Sequence, residues 1–296
     1  MTNKILYIDI ETSKNGKIND VGAIFNGQEL HEKQLTRLEV WINKAEYICG
    51  HNIVAHDIPL LAKVLGYQIF KDKKIIDTLL WSPILFSDNP YHKLVKGYKI
   101  VNDSDYNNPL SDCKLTRLLL IDELNKFNEL DDDLQQIYAN LLYQSKDYSG
   151  FLELIKFQKT TINTSLEINN LFNKKICKNS NIQKIITDSP IEFAYAFSLL
   201  NTKENKSILS YWISNTLPKT QQILNDLRFS HCNDSSCSYC NSYLNPKKAL
   251  QTYFGYEDFR SFDENEKISL QEKTVRAGLS SKSFVAVFPT GGGKSL

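Results

Sequence analysis

KILYIDIETSKNGKINDVGAIF, residues 4–25, decides how the first part of the chain is read. KILYIDI and INDVGAIF have the composition of strands, and the Asn15-Gly16 pair between them marks a turn. Asp9 and Glu11 stand two apart in the first strand, and side chains two apart leave a sheet on the same face. Two carboxylates so placed at a strand end suit a shared divalent cation, because Mg²⁺ prefers carboxylate and water oxygens.

Working outward, LTRLEVWINKA (35–45) reads as a helix, EYICGHN (46–52) as a short strand, and HDIPLLAKVLG (56–66) as a helix closed by Gly66. KKIIDTLLWSPIL (73–85) precedes a polar, Tyr- and Asn-rich loop over residues 87–109. SDCKLTRLLLIDELNKF (111–127) is an amphipathic helix for which Ser111 is the expected N-cap. Two more carboxylates fall at expected helix starts: Asp57 in GHNIVAHDIPLL and Asp112 in NNPLSDCKLTRLLL. A two-metal site needs several acids brought together, so that the ions stabilise the attacking and leaving oxygens of a phosphodiester.

These residues resemble the DnaQ-like (DEDD) 3′→5′ exonuclease family. DIET (9–12) resembles its first motif, His51-Asn52 with Asp57 five residues after the Asn resembles the second, and PLSDCKLT (109–116) resembles the C-terminal half of the third. The resemblance implies an RNase H-like α/β domain over residues 1–126, with Asp9, Glu11, Asp57 and Asp112 holding two Mg²⁺ or Mn²⁺ ions. It also implies that Thr12 and Asn52 bind substrate, Asn52 alternatively orienting Asp57. The commonest subclass carries a histidine five residues before its last Asp. Asn107 stands there, and Asn108 occupies the tyrosine variant's position. The expected general base is therefore His92 in YHKLVKGYK, since an imidazole titrating near pH 6.5 suits the task. His51 and His56 are expected to shape the site or contact phosphate, and Asp77 to act behind it.

Residues 127–227 read as a helical spacer or accessory region, with helical spacing in LDDDLQQIYANLLYQ, FLELIKFQKTTI, PIEFAYAFSLL and TQQILNDLR. Residues 228–245 contain HCNDSSCSYC. Cys237 and Cys240 form a CxxC pair of zinc-knuckle spacing, with Cys232 five residues earlier. The fourth ligand of such a zinc site is left between His231 and Cys177. The site would be structural.

In residues 246–296 the β-rich run VAVF, expected as an opening strand, leads into PTGGGKSL, a Gly-rich turn followed by Lys294-Ser295. Glycines let backbone N–H groups close round phosphates, Lys reaches the β/γ-phosphates and Ser ligates Mg²⁺. PTGGGKS resembles the RecQ family of superfamily 2 helicases, and YFGYEDFR (253–260) resembles the aromatic and Arg segment preceding that family's core. The resemblance implies an incomplete RecA-like start, truncated after the phosphate loop. Gln271 would read adenine, and Thr290, Gly291, Gly292, Gly293, Lys294 and Ser295 would hold ATP in the full-length protein. Little or no ATPase is expected from these 296 residues, and the final segment is expected to be poorly ordered.

The chain has 42% hydrophobic and 23% charged residues and a net charge of +1. That sum gives no basic footprint for nucleic acid, although a local basic groove is compatible with it. No apolar stretch reaches membrane-spanning length, and the start lacks a signal pattern, so a cytoplasmic protein is expected. The functional expectation is an exonuclease–helicase fusion acting on single-stranded DNA 3′ ends in repair or defence. Its alternative is a catalytically silent nucleic-acid-binding module attached to an ATP-dependent DNA helicase.

Overall fold

The strand pair read from residues 4–25 forms the centre of a five-stranded mixed sheet in the computed structural model. The structure describes residues 4–94, 108–158, 160, 162–202, 209–232, 234–242, 244–260, 268–279 and 283–289. The strands are β1 (Ile5–Thr12), β2 (Ile18–Phe25), β3 (Gln28–Glu32), β4 (Tyr47–Gly50) and β5 (Lys74–Asp77). Their order is β3-β2-β1-β4-β5; β2 pairs antiparallel with β1 and β3, whereas β1, β4 and β5 run parallel. β3 carries no readable strand period, because QELHE is a polar edge strand in which only Leu30 is buried. Its signal was Asn26-Gly27, whose φ values of 51° and 78° make the two-residue turn that suits a hairpin.

Alternation along the strands divides the two faces. Leu6, Ile8 and Ile10 of β1 and Val21, Ala23 and Phe25 of β2 pack with Leu38, Trp41 and Ile42 of α1 (Thr36–Lys44) and with Leu61 and Ala62 of α2 (Asp57–Leu65). The opposite face carries Tyr7, Asp9 and Glu11 and meets α4 (Pro109–Asn128). α3 (Thr78–Leu85) packs beside α4, and α6 (Lys146–Leu154) covers β5. Trp81 of α3 is the hub of that layer. It stacks on Phe151 at 4.3 Å and meets Phe127 and Tyr148 edge-on. α5 (Asp132–Leu142) precedes α6.

Three local expectations are corrected. α4 opens at Pro109, with Asn108 rather than Ser111 as N-cap; the Asn108 carboxamide accepts the Leu110 and Ser111 N–H groups. Proline fits the first helical position because it has no N–H to satisfy there. FLELIKFQKTTI is not one helix: α6 stops at Leu154, and Lys156 turns left-handed at φ 53°. VAVF forms no strand. Val285 and Val287 are exposed, and nothing among the described residues pairs with them.

The chain divides into two compact units. The first comprises residues 1–162 and 197–213, so it runs past the boundary expected at residue 126 because α5 and α6 belong with the sheet. The second comprises residues 163–196 and 214–296 and is helical. Its elements include α7 (Thr164–Leu171), α8 (Ile182–Asp188), α11 (Lys219–Phe229), α12 (Ser238–Ser242), α13 (Pro246–Phe254) and α14 (Leu270–Leu279). The unit boundaries fall within α9 (Pro190–Leu200) and α10 (Tyr211–Thr216). Among the described residues no helix is long and apolar enough to cross a membrane.

Candidate functional site

Asp9, Glu11 and Asp112 each offer a carboxylate oxygen within 4.8 Å of the other two. Two come from one face of β1 and the third from the first turn of α4. What lets the helix approach is Gly22, which lies opposite Asp9 in the antiparallel register. A Cβ there would stand 2.2 Å from the Pro109 carbonyl carbon, so only glycine admits the α4 start at this height. The Cys113 thiol donates to the Gly22 carbonyl at 3.2 Å and fixes the same contact. The pairing register shifts between Glu11 and Thr12, a bulge that re-aims the end of β1 beside the acids.

Asp57 is not within the same radius as these three. It is 2% exposed, and its Oδ1 accepts the Ile10 N–H at 3.0 Å. Its Oδ2 faces His56 Nδ1 at 3.6 Å. Burial raises the Asp57 pKa, against the lowering effects of His56 and the Ile10 N–H. Asp57 is thus held against the β1 backbone at Ile10 and beside His56.

Asp77 braces the loop that carries the second motif. Its carboxylate accepts N–H groups from Asn52 at 2.8 Å, Val54 at 3.1 Å and Leu79 at 3.0 Å. Burial nevertheless pushes its pKa up to about 6, against those three donors. Asn52 turns the chain at φ 64°, a left-handed conformation that Asn tolerates better than most residues.

The histidines separate clearly. His92 is buried, its Nδ1 lies 3.1 Å from the Ser82 hydroxyl, and burial alone lowers its pKa to about 4. It lines a recess with Phe86, Leu115, Leu119 and Asp122, whose α4 members lie further along the helix than Asp112. His51 is lowered to about 4 chiefly by burial, and its Nδ1 lies 2.9 Å from the Thr78 hydroxyl. His56 is exposed, and its pKa is raised by Asp57 first and by Glu11 further off. The imidazole in the field of the acids is therefore His56 rather than His92. From the sequence His56 is expected to shape the site or contact phosphate, as a residue flanking the second motif. Asn107 and the loop before it lie outside the described residues.

A second cluster stands in the other unit. Cys177, Cys232, Cys237 and Cys240 bring their sulfurs within 4.8 Å of one another, and together they could hold a metal such as zinc. His231 lies outside the group: it is exposed, with Nδ1 3.4 Å from the Phe229 carbonyl. The fourth partner of the CxxC stretch is Cys177.

Gln271 is buried on α14, its side-chain oxygen accepting the Arg260 N–H at 3.0 Å. Thr290, Gly291, Gly292, Gly293, Lys294 and Ser295 lie outside the described residues.

Compared with protein-family models, with curated proteins and with solved structures, the chain has no match in any of the three.

Proposed function

We propose that the first compact unit is a metal-dependent 3′→5′ exonuclease of the DnaQ-like type, acting on single-stranded DNA. The observation that carries the proposal is the convergence of Asp9, Glu11 and Asp112, from β1 and α4, on one point. The strand order β3-β2-β1-β4-β5 supports an RNase H-like reading of the same unit. The donor set fits hard cations: three carboxylates that are neither fully buried nor fully exposed, with no sulfur among them. Mg²⁺ or Mn²⁺ bound there would stabilise the charge on the attacking and leaving oxygens of a phosphodiester.

The chain's own residues supply the remainder of this proposal. Thr12, beyond the bulge, and Asn52, on the turn braced by Asp77, contact the substrate strand. Asp57 Oδ2, 3.6 Å from His56 Nδ1, orients the neutral imidazole, whose free Nε2 takes the proton from water. His92 keeps a packing role between α3 and α4. The product is a nucleoside monophosphate released from a 3′ end.

Residues 246–296 are proposed as RecQ-like helicase sequence that contributes to ATP binding in repair or defence. This part rests on PTGGGKS and YFGYEDFR as sequence. The test of the main proposal is digestion of a 5′-labelled single strand by the purified chain with Mg²⁺ or Mn²⁺, set against EDTA. Metal-dependent shortening from the 3′ end supports it, and an intact strand under both metals rejects it.

A further inference from the structure

Four of the chain's six cysteines meet at one point of the helical unit, from segments far apart in sequence. Cys177 follows α7. Cys232, Cys237 and Cys240 follow α11, the last lying within α12. Cys240 Sγ lies 3.6 Å from Cys177 Sγ and 3.9 Å from Cys232 Sγ. Four thiolates at about 2.3 Å from a tetrahedral Zn²⁺ stand about 3.8 Å apart along each edge. A disulfide would need about 2.05 Å, and all six cysteines are free.

Hydrogen-bond donors and a cation surround the sulfurs, although burial raises the Cys177 and Cys240 pKa values. Backbone N–H groups point at sulfur: those of Cys240 and Lys178 at Cys237, that of Asn179 at Cys177, and that of Cys232 at Cys240. Such donors stabilise thiolate rather than thiol. The Lys178 ammonium lies in the field of Cys232 and Cys237, and it also reaches Asp234 and Ser236 of the intervening loop. The apolar cluster around the site is mostly the cysteines themselves. Its buried members are Cys177, Cys237 and Tyr239, with Cys232, Cys240 and Leu244 packed against them. Besides the cysteines, Lys178 joins the two segments through Asp234 and Ser236.

We propose that Cys177, Cys232, Cys237 and Cys240 bind one structural Zn²⁺ that cross-links the α7–α8 connection to the segment after α11. Binding releases the four thiol protons and leaves a centre of net charge −2, partly offset by Lys178. All four positions are filled by protein sulfur, so no site remains for water or substrate, and the ion stabilises the fold without taking part in chemistry. The inference is independent of the nuclease proposal, since these ligands and the acids belong to different units.

The test uses the full chain, purified under reducing conditions without added metal. Elemental analysis should find one zinc per chain, released in step with thiol modification, and Co²⁺ exchanged into the site should give the absorption of a tetrahedral tetrathiolate. His231→Ala and Asp9→Ala should each retain one zinc, and Cys177→Ser should lose it. A metal-free parent that also gives no Co²⁺ signature overturns the proposal, as does iron in place of zinc. Loss of zinc from His231→Ala with retention in Cys177→Ser would overturn the ligand set. Should Cys177→Ser fail to fold, the parent, its Co²⁺ form and His231→Ala still decide the matter.

Discussion

Replacing Gly22 with alanine tests how the acidic site is assembled. The added Cβ would meet the Pro109 carbonyl carbon at 2.2 Å, the Leu110 nitrogen at 2.3 Å and the Pro109 oxygen at 2.4 Å. These are backbone atoms, so no rotamer change relieves the clash. Ordinary contact begins at 3.4 Å, so α4 must retreat from β2 by about 1.2 Å. Overpacking of this kind costs roughly 1–3 kcal/mol, which lowers the melting temperature by about 2–4 °C per kcal/mol in a unit of this size. Asp112 rides on the displaced turn while Asp9 and Glu11 remain on β1. A misplacement of about 1 Å at a catalytic group costs on the order of 10²-fold in rate. The control is Gly150→Ala, whose Cβ would stand 2.1 Å from the Ile75 carbonyl oxygen, where α6 crosses β5 away from the acids. The assay is kcat/KM on a 5′-labelled single strand together with Mn²⁺ affinity by calorimetry, both on protein shown to be folded at the assay temperature. The expected result is a ~100-fold loss of rate with weakened Mn²⁺ binding in Gly22→Ala. Gly150→Ala should lose stability alone. Equal activity and Mn²⁺ affinity in the two folded variants would refute the reasoning.

His56→Ala should lower the rate by roughly 10²–10⁴, whereas His92→Ala should alter melting temperature with little change in kcat; the reverse pattern would return the base to His92. Because Asp57 raises the His56 pKa, the rate should climb with pH above 6.5 as the imidazole loses its proton, and a profile flat from pH 6 to 9 would remove His56 from proton transfer. Glu123 is fully buried, and neither of its carboxylate oxygens has a hydrogen-bond partner among the described residues. Burial holds its pKa well above 4.5, so its contribution to stability is complete below that value and is lost as pH rises through the folded pKa. Glu123→Gln should flatten the decline of melting temperature between pH 5 and 9, and an unchanged slope would count against a buried neutral acid. Asp77→Ala leaves three N–H groups without their acceptor and should destabilise the first unit by more than about 2 kcal/mol, read by denaturant melts.

How much of this was legible in the sequence differs from residue to residue. The same-face placement of Asp9 and Glu11 follows from strand period alone, and the helix start at Asp112 follows from the Asn-Pro-Leu-Ser run even though the cap was placed three residues late. β3 was missed because an edge strand with one apolar position has no period to read. Asp57 looked equivalent to the other acids, yet its carboxylate accepts a long-range N–H from Ile10, which no local pattern encodes. Gly22 reads as an unremarkable strand glycine until α4 is known to cross it. Cys177 was one of two candidates for the fourth ligand position. The choice between it and His231 required the fold, because ligand sets joined across distant segments leave no spacing signature.

The measurement that bears most directly on the central claim is the product pattern of a 5′-labelled single-stranded DNA incubated with the wild-type chain and with Asp9→Ala, each with Mg²⁺ or Mn²⁺ and with EDTA. The account predicts a metal-dependent ladder shortening from the 3′ end with wild type and an intact strand with the variant. DNA that is bound but left uncut by wild type under every metal condition would contradict it and assign the unit to binding alone.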